Sequence, residues 1–150
     1  MAVEQVALPD DVLINKAATI ERCVKRAREE YAKDPATFAS DYTRQDAAIL
    51  NIQRACEAAL DMGQHLIRKH KLGVPQSSRD VFHLLATAGL IPTELAEHLK
   101  KMVGFRNIAV HEYQQLQVPI TEMIILHRLH DFIALCEQLL PGHSPSRPAV

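Results

Sequence analysis

Apolar side chains recur at helical spacing from about Asp10 to Leu140, and no segment of any length alternates between apolar and polar positions. That pattern predicts helices nearly throughout and no sheet. A first helix is expected over Asp10–Lys33, with Leu13, Ala17, Ile20, Val24, Ala27 and Tyr31 on one half-buried stripe. A second, longer helix is expected over Asp41–Lys71, with Ile49, Ile52, Cys56, Ala59, Leu60, Gly63 and Ile67 on one side. Its small residues Ala59 and Gly63 let a neighbouring helix come close, and Gly73-Val74-Pro75 stops it. Ser77, followed by Asp80, caps a short third helix over Arg79–Ala88 in a variant of the capping box. Pro92 suits the first turn of a fourth helix and Pro119 that of the last, whose core stripe is Ile125, Leu129, Phe132, Cys136 and Leu139. The pattern therefore predicts an all-α, up-down helical bundle of about five helices, with the first, second, fourth and fifth as main members.

Length and composition narrow this. A chain of 150 residues suits one hydrophobic core, and 47% apolar with 23% charged residues is ordinary globular composition. The expected division is a tail over residues 1–9, one domain over 10–140, and a Pro-, Ser- and Gly-containing tail over 141–150. Cys23, Cys56 and Cys136 are odd in number and scattered, which argues against a disulfide framework and for a reducing compartment. No run approaches the roughly 20 apolar residues of a membrane span. Residues 1–9 lack the basic start and apolar run of a secretory signal, so a cytoplasmic location is expected. The net charge of −1 excludes a polycation; nucleic-acid binding would need a local basic patch or one assembled by oligomerisation. Lys16, Arg22, Lys25, Arg26 and Arg28 on the first helix form a solvated face or a phosphate-binding surface. The basic end of the second helix, Arg68-Lys69-His70-Lys71, complements the helix dipole.

The fourth helix carries an anomaly. Leu95, Leu99, Met102, Val103 and Val110 fall on one apolar face, and Arg106 falls in the middle of it. Asn107 and His111 share the adjoining side, and Tyr113 returns to the stripe if the helix continues. A buried charge without a partner is costly, so Arg106 requires one, from the protein or from a ligand. Spacing alone leaves open a plain structural role, with Arg106 paired to a carboxylate, His111 a boundary residue and Tyr113 a packing aromatic.

The run Lys101-Met102-Val103-Gly104-Phe105-Arg106-Asn107-Ile108-Ala109-Val110-His111-Glu112-Tyr113 resembles the signature of the HEPN superfamily, specifically its HepT-like toxins. That signature is an arginine, a polar residue, a short spacer and His-x-Tyr. The segment Gly73-Val74-Pro75…Ser78-Arg79…Phe82 and the helix order are also similar, over roughly residues 10–140. The resemblance implies a metal-independent endoribonuclease, the toxin of a type VII toxin–antitoxin pair. It implies a homodimer whose motif helices meet to form one composite cleft, and a cognate minimal nucleotidyltransferase antitoxin that transfers AMP to the motif tyrosine, here Tyr113. No cofactor is implied.

The residue chemistry is compatible. RNA supplies its own nucleophile, the 2′-hydroxyl, so cleavage needs only proton transfer and charge stabilisation. His111 has the side chain suited to acid–base work near neutral pH, and Arg106 a permanently charged donor fork for the phosphate. Asn107 is a supporting residue that orients the imidazole or the phosphate. No metal site is expected: His127-x-x-His130 could place two imidazoles on one helix face, without an obvious third ligand. Two other readings are a non-catalytic HEPN module, which binds RNA or nucleotide or helps a nucleotidyltransferase, and a purely structural bundle dimerising through the fourth helix.

Overall fold

The computed structural model describes residues 10–142. The expected tail over 1–9, and residues 143–150 of the other, lie outside the described residues. Among the described residues the chain forms six α-helices and two short 3-10 helices, with no strand. The α-helices are α1 (Asp11–Ala32), α2 (Tyr42–His70), α3 (Ser78–Thr87), α4 (Thr93–His111), α5 (Val118–His127) and α6 (His130–Leu139). The 3-10 helices are Pro35–Ser40, between α1 and α2, and Tyr113–Gln115, after α4. No described helix is long and apolar enough to cross a membrane.

The core is one contiguous cluster, and the predicted stripes supply most of it. Leu13, Ala17, Ile20, Val24 and Ala27 of α1 are buried, as are Ile49, Ile52, Cys56, Ala59, Leu60 and Ile67 of α2. These two helices pack along most of their lengths and run antiparallel, because Asp10 at the start of α1 meets the end of α2. Asp10 caps α1, accepting from the backbone N–H groups of Val12 and Leu13 at 3.2 and 3.3 Å. The same carboxylate meets His65 Nε2 at 2.8 Å and Lys69 Nζ at 3.2 Å, clamping the two helices. The basic end of α2 thus does more than complement a dipole. On α1, Lys16 pairs with Asp61 at 3.0 Å and Arg26 with Glu29 and Glu30, which makes much of its basic face an ion-paired surface.

Gly63 acts as its small size predicts. A Cβ there would lie 2.4 Å from Val81 Cγ1 and 3.2 Å from Leu85 Cδ1, so only glycine lets α3 settle this closely on α2. Ser77 caps α3 by accepting from the Asp80 N–H at 3.2 Å. Asp80 reaches back to the Gln76 N–H at 3.0 Å, one residue earlier than a capping box would place it.

Three expectations need correction. The last helix is two helices: α5 ends at His127 and α6 begins at His130, yet Ile125, Leu129, Phe132, Cys136 and Leu139 are all buried. At the break, the Arg128 and Leu129 N–H groups both donate to the Ile124 carbonyl, the second spanning five residues. The extra residue bends the helix while keeping its stripe inward. His127 and His130 consequently lie on different helices, which removes the shared face supposed for them. Finally, Val110 has the phase of the buried stripe but is 43% exposed, because the neighbouring helices no longer cover that end of α4; Phe105 and Ala109 are buried in its stead.

Candidate active site

The fourth helix ends at His111, and Glu112 caps it with a backbone that has left the helical region (φ −142°, ψ 51°). Tyr113 therefore does not continue the apolar stripe. It opens the 3-10 helix Tyr113–Gln115 and turns its ring back toward α2.

Arg106 has the phase of the buried face but stands at its margin, its side chain 23% exposed. Its Nη2 lies 3.5 Å from Glu57 Oε2 on α2, and its Nη1 donates to Asn107 Oδ1 at 3.1 Å. Nε is buried and has no hydrogen-bond partner. The guanidinium is therefore held by one carboxylate and one amide with part of its donor capacity unmet. Within the subunit the Asn107 amide oxygen therefore engages the arginine.

His111 is exposed, and among the described residues no hydrogen bond or ion pair engages its imidazole. Five helical steps lead to it from Arg106, which turns their side chains about 140° apart around the axis and ~7.5 Å along it. The two groups share a helix but diverge. Asn107 is only about 40° from His111 in phase, so amide and imidazole share a flank.

Tyr113 is 43% exposed and donates its phenol to Asp46 Oδ1 on α2. Burial, the hydrogen bond to Asp46 and the charge of that carboxylate together push the phenol up to about 12. Tyr113 borders a hollow of about 240 Å³, also lined by Tyr42, Gln45, Ile49, Leu116 and Thr121.

Sequence reasoning did not find Asp46 and Glu57. Eleven residues of helix are about three turns, so the two carboxylates share one side of α2. Gln53 lies between them and donates to Glu57 at 3.1 Å. Glu57 meets Arg106 and Asp46 meets Tyr113, so α2 and α4 run antiparallel with a carboxylate opposite each end of the motif. The three-turn repeat was visible, but not the helix it would face.

On the opposite flank of α4, Gly104 lies under the Arg79 guanidinium; a Cβ there would come within 2.8 Å of Arg79 Nη2. Beside it an apolar cavity of about 440 Å³ opens between α4 and α5, floored by Phe105, Ile108, Ile120 and Met123. Among the described residues no three His, Cys, Asp or Glu side chains are grouped to hold a metal ion.

The family model described as Ribonuclease HepT-like matches residues 20–139. A curated relative from Shewanella oneidensis, an mRNA nuclease HepT, is 52% identical over 123 residues, covering 82% of this chain and 92% of its own. A tRNA nuclease HepT from Aphanizomenon flos-aquae is 26% identical, covering 68% of this chain and 69% of its own. Among solved structures, a chain from a toxin–antitoxin crystal structure with AMP-PNP superposes with a TM-score of 0.84 at 48% identity, covering 87% of this chain and 98% of that one. A chain from the complex of tri-AMPylated Shewanella oneidensis HEPN toxin with MNT antitoxin matches with a TM-score of 0.83 at 49% identity, with the same coverage. The bundle, its motif helix and these likenesses agree: the chain belongs to the ribonuclease HepT-like family.

Proposed function

We propose that this protein is the toxin of a toxin–antitoxin pair, a metal-independent endoribonuclease whose site is completed by a second copy of the chain. The observation that carries this reading is the divergence of Arg106 and His111 on one helix. Neither side chain finds the other within a subunit, yet each is left with capacity to act: a guanidinium that reaches the surface at the margin of the core, and an unengaged imidazole. Two antiparallel motif helices meeting at a two-fold axis would set the arginine of one copy beside the histidine of the other. His111 would then move the proton between the RNA oxygens, while Arg106 would meet the phosphate as its charge grows. Glu57 would release Arg106 to the substrate, and Asn107 would hold the guanidinium in register.

The partner would be a nucleotidyltransferase antitoxin that transfers AMP to Tyr113. The tri-AMPylated relative supports the modification, and the half-exposed phenol supports this acceptor. A phosphodiester and nucleoside two residues from His111 would repel and displace RNA.

RNA cleavage with the Arg106→Ala and His111→Ala proteins, with and without chelator, tests the nuclease. Each variant should lose about 10²-fold or more, and chelator should change nothing. Restoration of an EDTA-stopped reaction by magnesium would sink the metal-independent mechanism. Light scattering at micromolar concentration should find a dimer; a 16.8 kDa species alone would rule out the composite site. Tyr113→Phe should still cleave RNA and accept no AMP, as read by peptide mass spectrometry.

A further inference from the structure

We infer that Asp46 is the general base for adenylyl transfer onto Tyr113, so that the toxin supplies a catalytic group to its own modification. This rests on Tyr113 being the acceptor.

A protonated phenol is a weak nucleophile, and the surroundings of Tyr113 oppose a free phenolate. Burial and the neighbouring carboxylate raise its ionisation to about 12, so near neutral pH only about one molecule in 10⁵ carries the anion. Among the described residues no Lys, Arg or His lines the hollow to stabilise it. From α2 come Tyr42, Gln45, Asp46 and Ile49; from the α4–α5 connection Gln114 and Leu116; from α5 Val118 and Thr121. Among the described residues, Tyr42, itself exposed, is the one titratable side chain there besides Asp46 and Tyr113.

The phenol needs a base at the moment of attack, and one is in place: its O–H donates to Asp46 Oδ1. In the transfer, a lone pair of the Tyr113 oxygen forms a bond to the α-phosphorus of a nucleoside triphosphate. The bond from that phosphorus to the bridging oxygen breaks, and pyrophosphate leaves with the electron pair. The phenolic proton passes to Asp46 and from there to solvent. Raising the phenol's basicity while fixing its proton on an acceptor suits such a concerted transfer, which ordinarily contributes about 10²–10⁴-fold. The product ester has no proton to donate, so modification also ends the contact with Asp46 and adds a phosphate anion beside a carboxylate.

The test compares wild type, Asp46→Asn and Asp46→Glu in AMP incorporation at Tyr113, using the cognate antitoxin, ATP and folded toxin checked by thermal melting. An asparagine carbonyl still accepts the phenol's hydrogen bond but takes no proton, so it separates chemistry from position. Asp46→Asn should be modified about 10²–10⁴-fold more slowly, with KM for the toxin within a few-fold of wild type. Its residual rate should climb about tenfold per pH unit through the neutral range, tracking the phenolate, while the wild-type rate stays flat. Asp46→Glu should recover part of the loss. Wild-type speed in Asp46→Asn would overturn the proposal and assign the base to the antitoxin. A slowed variant with a pH profile parallel to wild type would overturn it too, leaving a purely structural contact. If wild type itself gains AMP elsewhere and none at Tyr113, the acceptor reading falls first and this inference with it.

Discussion

Between Leu95 and Phe105, α4 buries Leu95, Ala96, Leu99, Met102, Val103 and Phe105 against its neighbours. From Arg106 onward the same helix buries Ala109 alone and offers a cation, an amide and an imidazole, with a phenol just past its cap. Helical phase does not distinguish the halves, since Arg106 and Val110 have the angle of the buried stripe. What changes is the company. α4 packs against α2, α3 and α6 as a whole, but in its second half only Ala109 is buried, and two carboxylates of α2 meet the motif, Glu57 at Arg106 and, just past the cap, Asp46 at Tyr113. One helix can therefore be anchored by its first half and carry chemistry on its second.

Substitutions break the comparison in opposite currencies. The largest expected effect belongs to His111→Ala, which should lower RNA cleavage by about 10²–10⁴-fold while leaving the melting temperature nearly unchanged, because no hydrogen bond is lost. A drop in melting temperature matching the loss of activity would mean that the second half is structural after all. Leu99→Ala should do the reverse. Its side chain is fully buried, so removal should cost about 2–5 kcal/mol by chemical denaturation, with activity per folded molecule retained. The smallest effect is a control outside α4. Asp10→Ala removes the cap and clamp of α1, for a loss of about 1 kcal/mol. Burial pushes the Asp10 carboxyl up, but hydrogen bonds from His65, Lys69 and the Leu13 N–H outweigh it and hold the group at about 2. A depressed value stabilises the fold above the ordinary 3.8, and that contribution fades as pH falls toward about 2. The stability gap between wild type and Asp10→Ala should close over that range. A gap independent of pH would show that packing, not the charge, carries the clamp.

How much of this was legible in the chain differs between the same two halves. Leu95, Leu99, Met102 and Val103 announced their burial by spacing, because burial on one helix follows from periodicity. Arg106 stood out against that stripe, whereas spacing left His111 and Tyr113 open to a plain structural role, and it was the resemblance of the run to the HEPN signature that implied their functions. The partners did not. Glu57 and Asp46 lie on another helix, and nothing local tells which helix will face them. The split between α5 and α6 was hidden for a related reason: Ile125, Leu129 and Phe132 stay inward through the bend, so the stripe reads as unbroken. Val110 was misread because periodicity reports direction, not where the neighbours end.

The three buried cysteines have a kinetic consequence. Burial raises Cys23 and pushes Cys56 and Cys136 to about 12, so the closed bundle presents almost no thiolate to an alkylating reagent or oxidant near neutral pH. Cys56 lies on α2 next to Glu57, with the Arg106 charge acting on it, while Cys136 lies on α6. Each sulfur becomes reactive only when its helix lets water in. The rate at which a thiol reagent labels Cys56, relative to Cys136, therefore times the opening of α2 behind the motif against the opening of α6.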